Sequence, residues 1–160
     1  EAERETHPAR FALAEIVNIH DPAVTFHPIH RLVTGPAAAQ LPAELGQALP
    51  GGAKNGAECV TRRAVFHSGA GCGLGELVER ADAVIAALLE EYGGEVDYVH
   101  GGAVCAALAR ERDGCALLLP ALDKGELFGY IARHGAYPRK SFSIGEAEEK
   151  RYYLEARAIR

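Results

Sequence analysis

The chain has 160 residues, of which 48% are hydrophobic and 24% charged, and its formal net charge is -5 at pH 7. This length fits one domain with its own core, and no apolar run approaches the roughly 20 residues of a membrane-spanning helix. The negative charge argues against general binding to nucleic acid or to anionic membranes, because both require a basic surface. The four cysteines form no C-x-x-C pair, so we expect reduced thiols in a cytoplasmic protein and no structural zinc: Cys59, Cys72, Cys105 and Cys115.

The first two predicted elements are strands. Residues 11–19, "FALAEIVNI", form a short apolar run before an Asp-Pro turn, which favours a buried strand over a helix. A second strand is predicted from about Thr25, and Pro28 suits its beginning or an edge position because proline cannot donate to a neighbouring strand. One face of this strand carries His27, Ile29, Arg31 and Val33.

The next segment, residues 36–57, is rich in Ala, Gly and Pro and is predicted as a surface loop with a short helix. The helix is expected to begin near Pro42, because three leucines follow one another at intervals of four: Leu41, Leu45 and Leu49. A linker between two small domains is the alternative. Residues 58–67, "ECVTRRAVFH", alternate between apolar and polar side chains and are predicted as one strand.

Strands and helices then alternate. Apolar residues at helical spacing predict a long helix that begins at Leu74 and stops at Gly93 and Gly94. The remaining predicted elements are a strand at 95–100, a helix at 102–112, a buried strand at 115–122, a helix that is capped by Asp123 and Glu126 and ends at Gly135, and a final strand at 151–159. This order predicts an α/β or α+β fold, with helices packed on a mixed β-sheet in a single compact domain.

The stretch "NIHDPAVTFHPIHRLV" contains metal-ligand side chains in close succession: His20, Asp21, His27 and His30. However, His27 and His30 are three apart on a predicted strand and are therefore expected on opposite faces. We expect solvated or hydrogen-bonded histidines and no metal site. A shared metal is the alternative, and it would require a bulge or bend at Pro28.

Three turns each precede a predicted helix: "SGAGCGLG" and "VHGG", which contain glycine, and "LDK", which comes near to the same arrangement. Helix starts attract anions, and they would lie along one edge of the sheet if the strands were parallel. The first turn fits neither common phosphate-binding pattern, because Leu74 replaces the last glycine of G-x-G-x-x-G and no Lys-Ser or Lys-Thr follows. We expect it to be a flexible loop, with phosphate binding as the alternative.

A basic turn follows Pro138. It carries two cations and two hydroxyls that suit a phosphate or a carboxylate: Arg139, Lys140, Ser141 and Ser143. The simpler interpretation is a solvated turn whose charge is balanced by nearby glutamates.

Three segments are the most distinctive in the chain: "EIVNIHDPAVTFHPIHRLV", "VDYVHGGAV" and "PRKSFSIGEAEEKRYYLEAR". Together they resemble the C-terminal half of a bacterial family known as domain of unknown function 1015. The most specific parts of the resemblance are the elements at 28–31 and 138–141, whereas residues 36–57 match nothing. Full-length members carry an upstream Asp-Gly-His-His-Arg motif, which does not occur here. The chain also lacks methionine, so we expect residues 1–160 to be the C-terminal domain of a longer protein.

The upstream motif is similar to one in ParB-type and sulfiredoxin-type folds, some of whose relatives use a nucleotide to phosphorylate free serine. The resemblance therefore implies a phosphate- or nucleotide-handling, kinase-like site that the N-terminal half completes, with a nucleotide and magnesium acting in the full-length protein. His30 would be the catalytic residue, and the phosphate-binding residues would be Arg31, His100, Arg139, Lys140 and Ser141. The alternative is a non-enzymatic domain that binds a small ligand or forms a homodimer.

Overall fold

Six strands and four helices make up the part of the chain that the computed structural model describes, which is residues 7, 16–49, 56–68 and 71–145. Their bounds are β1 Phe26–Thr34, α1 Pro36–Ala48, β2 Ala57–Val60, β3 Val65–Ser68, α2 Leu74–Tyr92, β4 Glu95–His100, α3 Gly102–Glu111, β5 Cys115–Leu118, α4 Lys124–His134 and β6 Phe142–Ile144.

The strands form one sheet in the order β3-β2-β5-β1-β4, and β6 pairs with the first residues of β1. Every pairing between the described strands is antiparallel. The long strand β1 lies in the interior of the sheet, between β5 and β4. The predicted class, helices packed on a sheet in a single domain, is confirmed.

Helices cover both faces of the sheet. The larger core packs α1 and α2 against β-strand side chains such as Val33, Cys59 and Leu117. The smaller core packs α3 against side chains of the other face, among them Leu32 and Ala116. Two cores on opposite faces of one sheet bury β1 from both sides, which is why side chains at its centre lie inside the protein whichever way they point.

Three predictions about the first half of the chain are wrong in part. α1 begins at Pro36, not near Pro42, and its buried leucines make it a core helix where a surface loop was expected. The single strand predicted over 58–67 is a hairpin, because the Thr61 hydroxyl accepts the backbone N–H groups of Arg63 and Ala64 and closes a turn. Residues 16–19 contain no strand, and the rest of that predicted strand, 11–15, lies outside the described residues.

The later predictions agree better with the structure. α2 ends at the glycine pair, where Gly93 has φ +73°, and α4 begins after Asp123 and ends at Gly135. β6 was not predicted, and the strand predicted at 151–159 lies outside the described residues. Among the described helices, none combines the length and the apolar character needed to cross a membrane.

Candidate functional site

Three helices begin at the same edge of the sheet. β4 and β5 both run antiparallel to β1, while β3 and β5 both run antiparallel to β2, so β3, β4 and β5 point in one direction. Their C-terminal ends share this edge with the start of β1, and α2, α3 and α4 each follow one of them. The helix starts thus share one edge, as was expected for parallel strands, although every described pairing is antiparallel.

His30 lies on β1 at this edge and is 5% exposed. Its Nδ1 accepts a hydrogen bond of 3.1 Å from the backbone N–H of Leu119. An Nδ1 that accepts carries no proton, so the neutral ring is protonated at Nε2. Nε2 faces the first residue of α3, because a β-carbon built on Gly102 would lie 3.4 Å from it. The ring therefore presents one N–H toward the start of α3.

The pKa of His30 is lowered from its ordinary value of 6.5 to about 4. Burial of the ring is the main cause, and the proximity of His100 and Arg31 adds to it. His30 is therefore uncharged near neutral pH and acts as a hydrogen-bond donor, not as a cation.

Two other histidines contact each other near this edge of the sheet. His100 ends β4 directly before α3, and its ring centroid is 5.5 Å from that of His27. The His27 ring contacts His100, whereas His30 Nδ1 binds the backbone N–H of Leu119. The expectation that His27 and His30 lie on opposite faces of β1 stays a prediction.

The other members of the histidine-rich stretch have local contacts. The Asp21 side chain accepts a hydrogen bond from the N–H of Ala23, and its backbone carbonyl accepts one from Lys124 Nζ. The backbone N–H of His20 donates to the Asn18 side chain. Within residues 16–49, 56–68 and 71–145, no three His, Cys, Asp or Glu side chains are arranged to hold a metal ion.

Arg31 lies on the other face of β1, against α2, and is fully buried. Its Nε and Nη2 donate to the two carboxylate oxygens of Asp82, each at 2.8 Å. Its Nη1 donates to the backbone carbonyls of Ile29 and Lys140, at 2.6 and 2.7 Å. The guanidinium hydrogen bonds therefore go to protein oxygens, and we assign Arg31 a structural role.

The basic turn meets β1 at this point. Besides the bond from Arg31 to Lys140, the backbone N–H of Ile29 donates to the carbonyl of Ser141. The Ser141 hydroxyl is buried and donates to the Pro138 carbonyl at 2.7 Å, whereas the side chains of Arg139 and Lys140 are exposed. The segments 28–31 and 138–141 therefore meet in the structure. Lys140 contributes its backbone carbonyl to this contact, while its side chain is exposed to solvent.

A cavity of about 470 Å³ lies at the same edge, between the starts of α2 and α4. Its lining includes Cys72, Asp123 and Glu126. Burial, followed by the nearby Glu76, raises the pKa of the Cys72 thiol, so this cysteine stays protonated near neutral pH. The acidic lining does not suit a phosphate. A larger cavity of about 600 Å³ lies at the opposite edge of the sheet, and none of the predicted site residues lines it.

The sequence analysis did not identify two groups that bind the predicted site residues, the Asp82 carboxylate and the Leu119 N–H. Asp82 is a charged residue between Val78 and Ile85 on the apolar face of α2, and a charge at such a position indicates a buried partner of opposite sign. The Leu119 N–H that binds His30 leaves no sequence signal, because any residue other than proline supplies the same donor.

The chain matches the family described as "Protein of unknown function (DUF1015)" over residues 1–155. It belongs to this family. The sequence resemblance to domain of unknown function 1015 is thereby confirmed, while no curated protein matches the chain.

Solved structures similar to this DUF1015 chain include a conserved hypothetical protein from Pyrococcus furiosus. The two are 14% identical with a TM-score of 0.60, and the match covers 83% of this chain and 61% of the length of that protein. A variant of a free serine kinase in complex with ADP is also 14% identical, with a TM-score of 0.60, covering 82% of this chain and 58% of its own. A free serine kinase in complex with AMP is 15% identical, with a TM-score of 0.54 and the same coverage. The likeness shows a shared fold, and the chain spans about three fifths of the length of these structures.

Proposed function

We propose that this chain is the phosphate-handling domain of a small-molecule kinase that transfers a phosphoryl group from a nucleotide to a hydroxyl such as that of serine. The observation that carries the proposal is the buried, neutral His30 facing the start of α3, in a fold shared with free serine kinases bound to ADP and AMP. The start of a helix offers unpaired backbone N–H groups to a phosphate, and a neutral imidazole N–H adds a donor without the cost of burying a charge.

Each residue at this edge has a role in the proposal. His30 donates through Nε2 to a phosphate oxygen or exchanges a proton there, and His100 lies beside it at the end of β4. The exposed cations Arg139 and Lys140 neutralise phosphate charge. Arg31 and Ser141 hold the basic turn by internal hydrogen bonds and do not contact the ligand.

Phosphoryl transfer also requires an oriented acceptor and, in most kinases, magnesium ligands. We place these in the N-terminal half that longer family members carry, because the chain spans about three fifths of the length of its structural neighbours. The proposal assigns no metal ligand to the described residues, where no suitable cluster occurs.

The test is a titration of the chain with ADP and AMP, followed by calorimetry and by thermal unfolding. We expect binding in the millimolar range or tighter, and a Kd about tenfold weaker for His30→Asn, which keeps the acceptor for Leu119 but loses the Nε2 donor. Lys140→Asn should weaken binding similarly, because asparagine tolerates the left-handed backbone of this position but carries no charge.

The matched control is His67→Asn on β3, three strands from β1 in the sheet, which should bind as the unaltered chain does. Failure of millimolar ADP and AMP to bind, or an equal loss of binding in all three variants, would contradict the proposal.

A second function is favoured by one observation. Phe128 and Ile131 lie one turn apart on α4 and are 63% and 41% exposed, as in a helix that packs against another protein surface. In that case the domain forms a homodimer, and sedimentation would show a dimer that Phe128→Ser converts to a monomer.

A further inference from the structure

The only guanidinium that the structure buries completely, among the described residues, belongs to Arg31. Its carboxylate partner Asp82 lies on α2 and is 34% exposed, and the two side chains are joined by parallel hydrogen bonds of 2.8 Å. A buried guanidinium without a partner is strongly unfavourable, so Asp82 is what allows Arg31 to occupy this position.

The same guanidinium reaches a third segment of the chain. Its Nη1 donates to the carbonyl of Lys140, 109 positions away in the sequence, at 2.7 Å. Arg31 therefore connects α2, through Asp82, to the basic turn at 138–141. The bidentate bond to Asp82 fixes the orientation of the planar guanidinium and leaves Nη1 directed at the turn.

The backbone of the turn needs such a connection. Lys140 has φ +59°, a left-handed conformation that residues with a β-carbon rarely adopt and that costs energy unless neighbouring contacts hold it. The Arg31 hydrogen bond is made to the carbonyl of this same residue. Two further bonds close the turn, from Ser141 Oγ to the Pro138 carbonyl and from the Ile29 N–H to the Ser141 carbonyl.

We propose that Arg31 and Asp82 form a positioning pair that holds the basic turn against the start of β1, so that the cations of Arg139 and Lys140 keep a fixed place at this edge of the sheet. The identity of the ligand, an adenine nucleotide, rests on the proposed function. The role of the pair in holding the turn does not. Neither member of the pair touches the ligand. Asp82 lies on α2, which carries none of the predicted site residues, and it thereby controls how well the turn is ordered.

Trypsin provides a direct measure of this order, because it cleaves after Arg139 and Lys140 when the turn opens. Asp82→Asn removes the charge that holds Arg31, and we expect cleavage at these two sites to accelerate about tenfold while cleavage after Arg112 is unchanged. The matched control is Asp97→Asn, which removes the exposed partner of Arg112, an ion pair at 3.6 Å, and should leave cleavage at the turn as it was.

A second variant covers the case in which Asp82→Asn does not fold. The double substitution Arg31→Met with Asp82→Leu replaces the pair by apolar side chains, which proteins often tolerate, and removes the donor to Lys140. It too should accelerate cleavage at the turn alone. Unchanged cleavage at the turn in a folded variant would overturn the proposal. So would an equal rise at Arg112 and at the turn in both variants, which would assign the pair to general stability.

Nucleotide binding then separates this inference from the proposed function. If the turn carries phosphate-binding cations, the ADP Kd of the folded variants rises about tenfold, whereas that of Asp97→Asn does not. An open turn with unchanged ADP affinity would overturn the positioning role toward the ligand. If the unaltered chain binds no ADP, the proposed function fails, while the cleavage data still decide whether the pair holds the turn.

Discussion

Burial of His30 makes the stability of the domain depend on pH. The unfolded chain takes up a proton on this residue near pH 6.5, but the folded protein does so only near pH 4. Between these two values the unfolded state holds more protons, so the free energy of unfolding falls as the pH is lowered through this window. Above pH 6.5 His30 is neutral in both the folded and the unfolded state, and its full contribution to stability is present.

We expect this one residue to remove about 3 kcal/mol of stability across the window, since each unit of pKa difference corresponds to about 1.4 kcal/mol. Urea unfolding at several pH values within the window measures it. In His30→Asn, the side-chain oxygen can still accept the Leu119 N–H but does not titrate, so the acid-dependent loss should be smaller by that amount. Gly46→Ala changes no titratable group, so it is the control and should leave the dependence of the unfolding free energy on pH unchanged. If the unfolding free energy of His30→Asn depended on pH as steeply as that of the unaltered chain, His30 would not be the group responsible.

The start of α2 and the middle of α4 are in close contact. A β-carbon built on Gly75, in the first turn of α2, would overlap the ring of Tyr130, which is buried and donates from its hydroxyl to Glu79 at 3.3 Å. The Tyr130 ring also stacks on Tyr137 at 4.0 Å, and Tyr137 lies edge-on to Phe142 of β6. Gly75 is thus required by packing, although glycine is a poor helix former.

Two glycine-to-alanine substitutions test this contact, because they have opposite expected signs. Gly75→Ala should destabilise the fold by about 1–3 kcal/mol, since the Tyr130 ring must move out of a packed core. Gly46→Ala, in α1, meets nothing within 4 Å and should stabilise the fold by up to about 1 kcal/mol. Chemical denaturation of both variants gives the comparison, and the same sign of change in both would show that Tyr130 does not pack on α2 in this way.

The ends of helices were predictable from sequence because they depend on local chemistry. The glycine pair after α2 and Gly135 after α4 supply the backbone conformations that end a helix, so both ends were found. The start of α1 was missed because Pro42 normally breaks a helix, whereas burial of Leu41 and Leu45 carries this helix through it.

The site was predictable to a similar degree. The family resemblance assigned residues of 28–31 and 138–141 to one phosphate site, and the hydrogen bond from Arg31 to Lys140 shows that these two segments meet. What the sequence did not reveal is which atoms meet, because backbone carbonyls and amides are the same at every residue. Arg31 was therefore assigned to phosphate, while its contacts are with Asp82 and with main-chain oxygens.

The distribution of charge over the whole chain bears on the proposed nucleotide ligand. The net charge is -5, so an anionic nucleotide is repelled on average and is held only where cations and helix starts are concentrated. The edge at the start of β1 combines the α3 start, the neutral His30 and, in the adjoining turn, Arg139 and Lys140. The cavity between α2 and α4 at this edge has an acidic lining instead, which suits a cationic or hydroxylated group better than a phosphate.

The 160-residue chain should therefore bind nucleotide without transferring its phosphoryl group. Transfer requires a nucleotide, an acceptor hydroxyl and compensating positive charge held together, and loss of one of these groups costs several orders of magnitude in rate. The chain spans 58–61% of the length of its structural neighbours, and its described residues contain no cluster that could hold a metal ion. Phosphorus NMR of mixtures with serine, magnesium and either ADP or ATP should show no phosphoserine above the protein-free control. A free serine kinase run in parallel establishes that the assay detects the product. Robust product formation by this chain that disappears in His30→Asn would place the complete catalytic centre within these 160 residues.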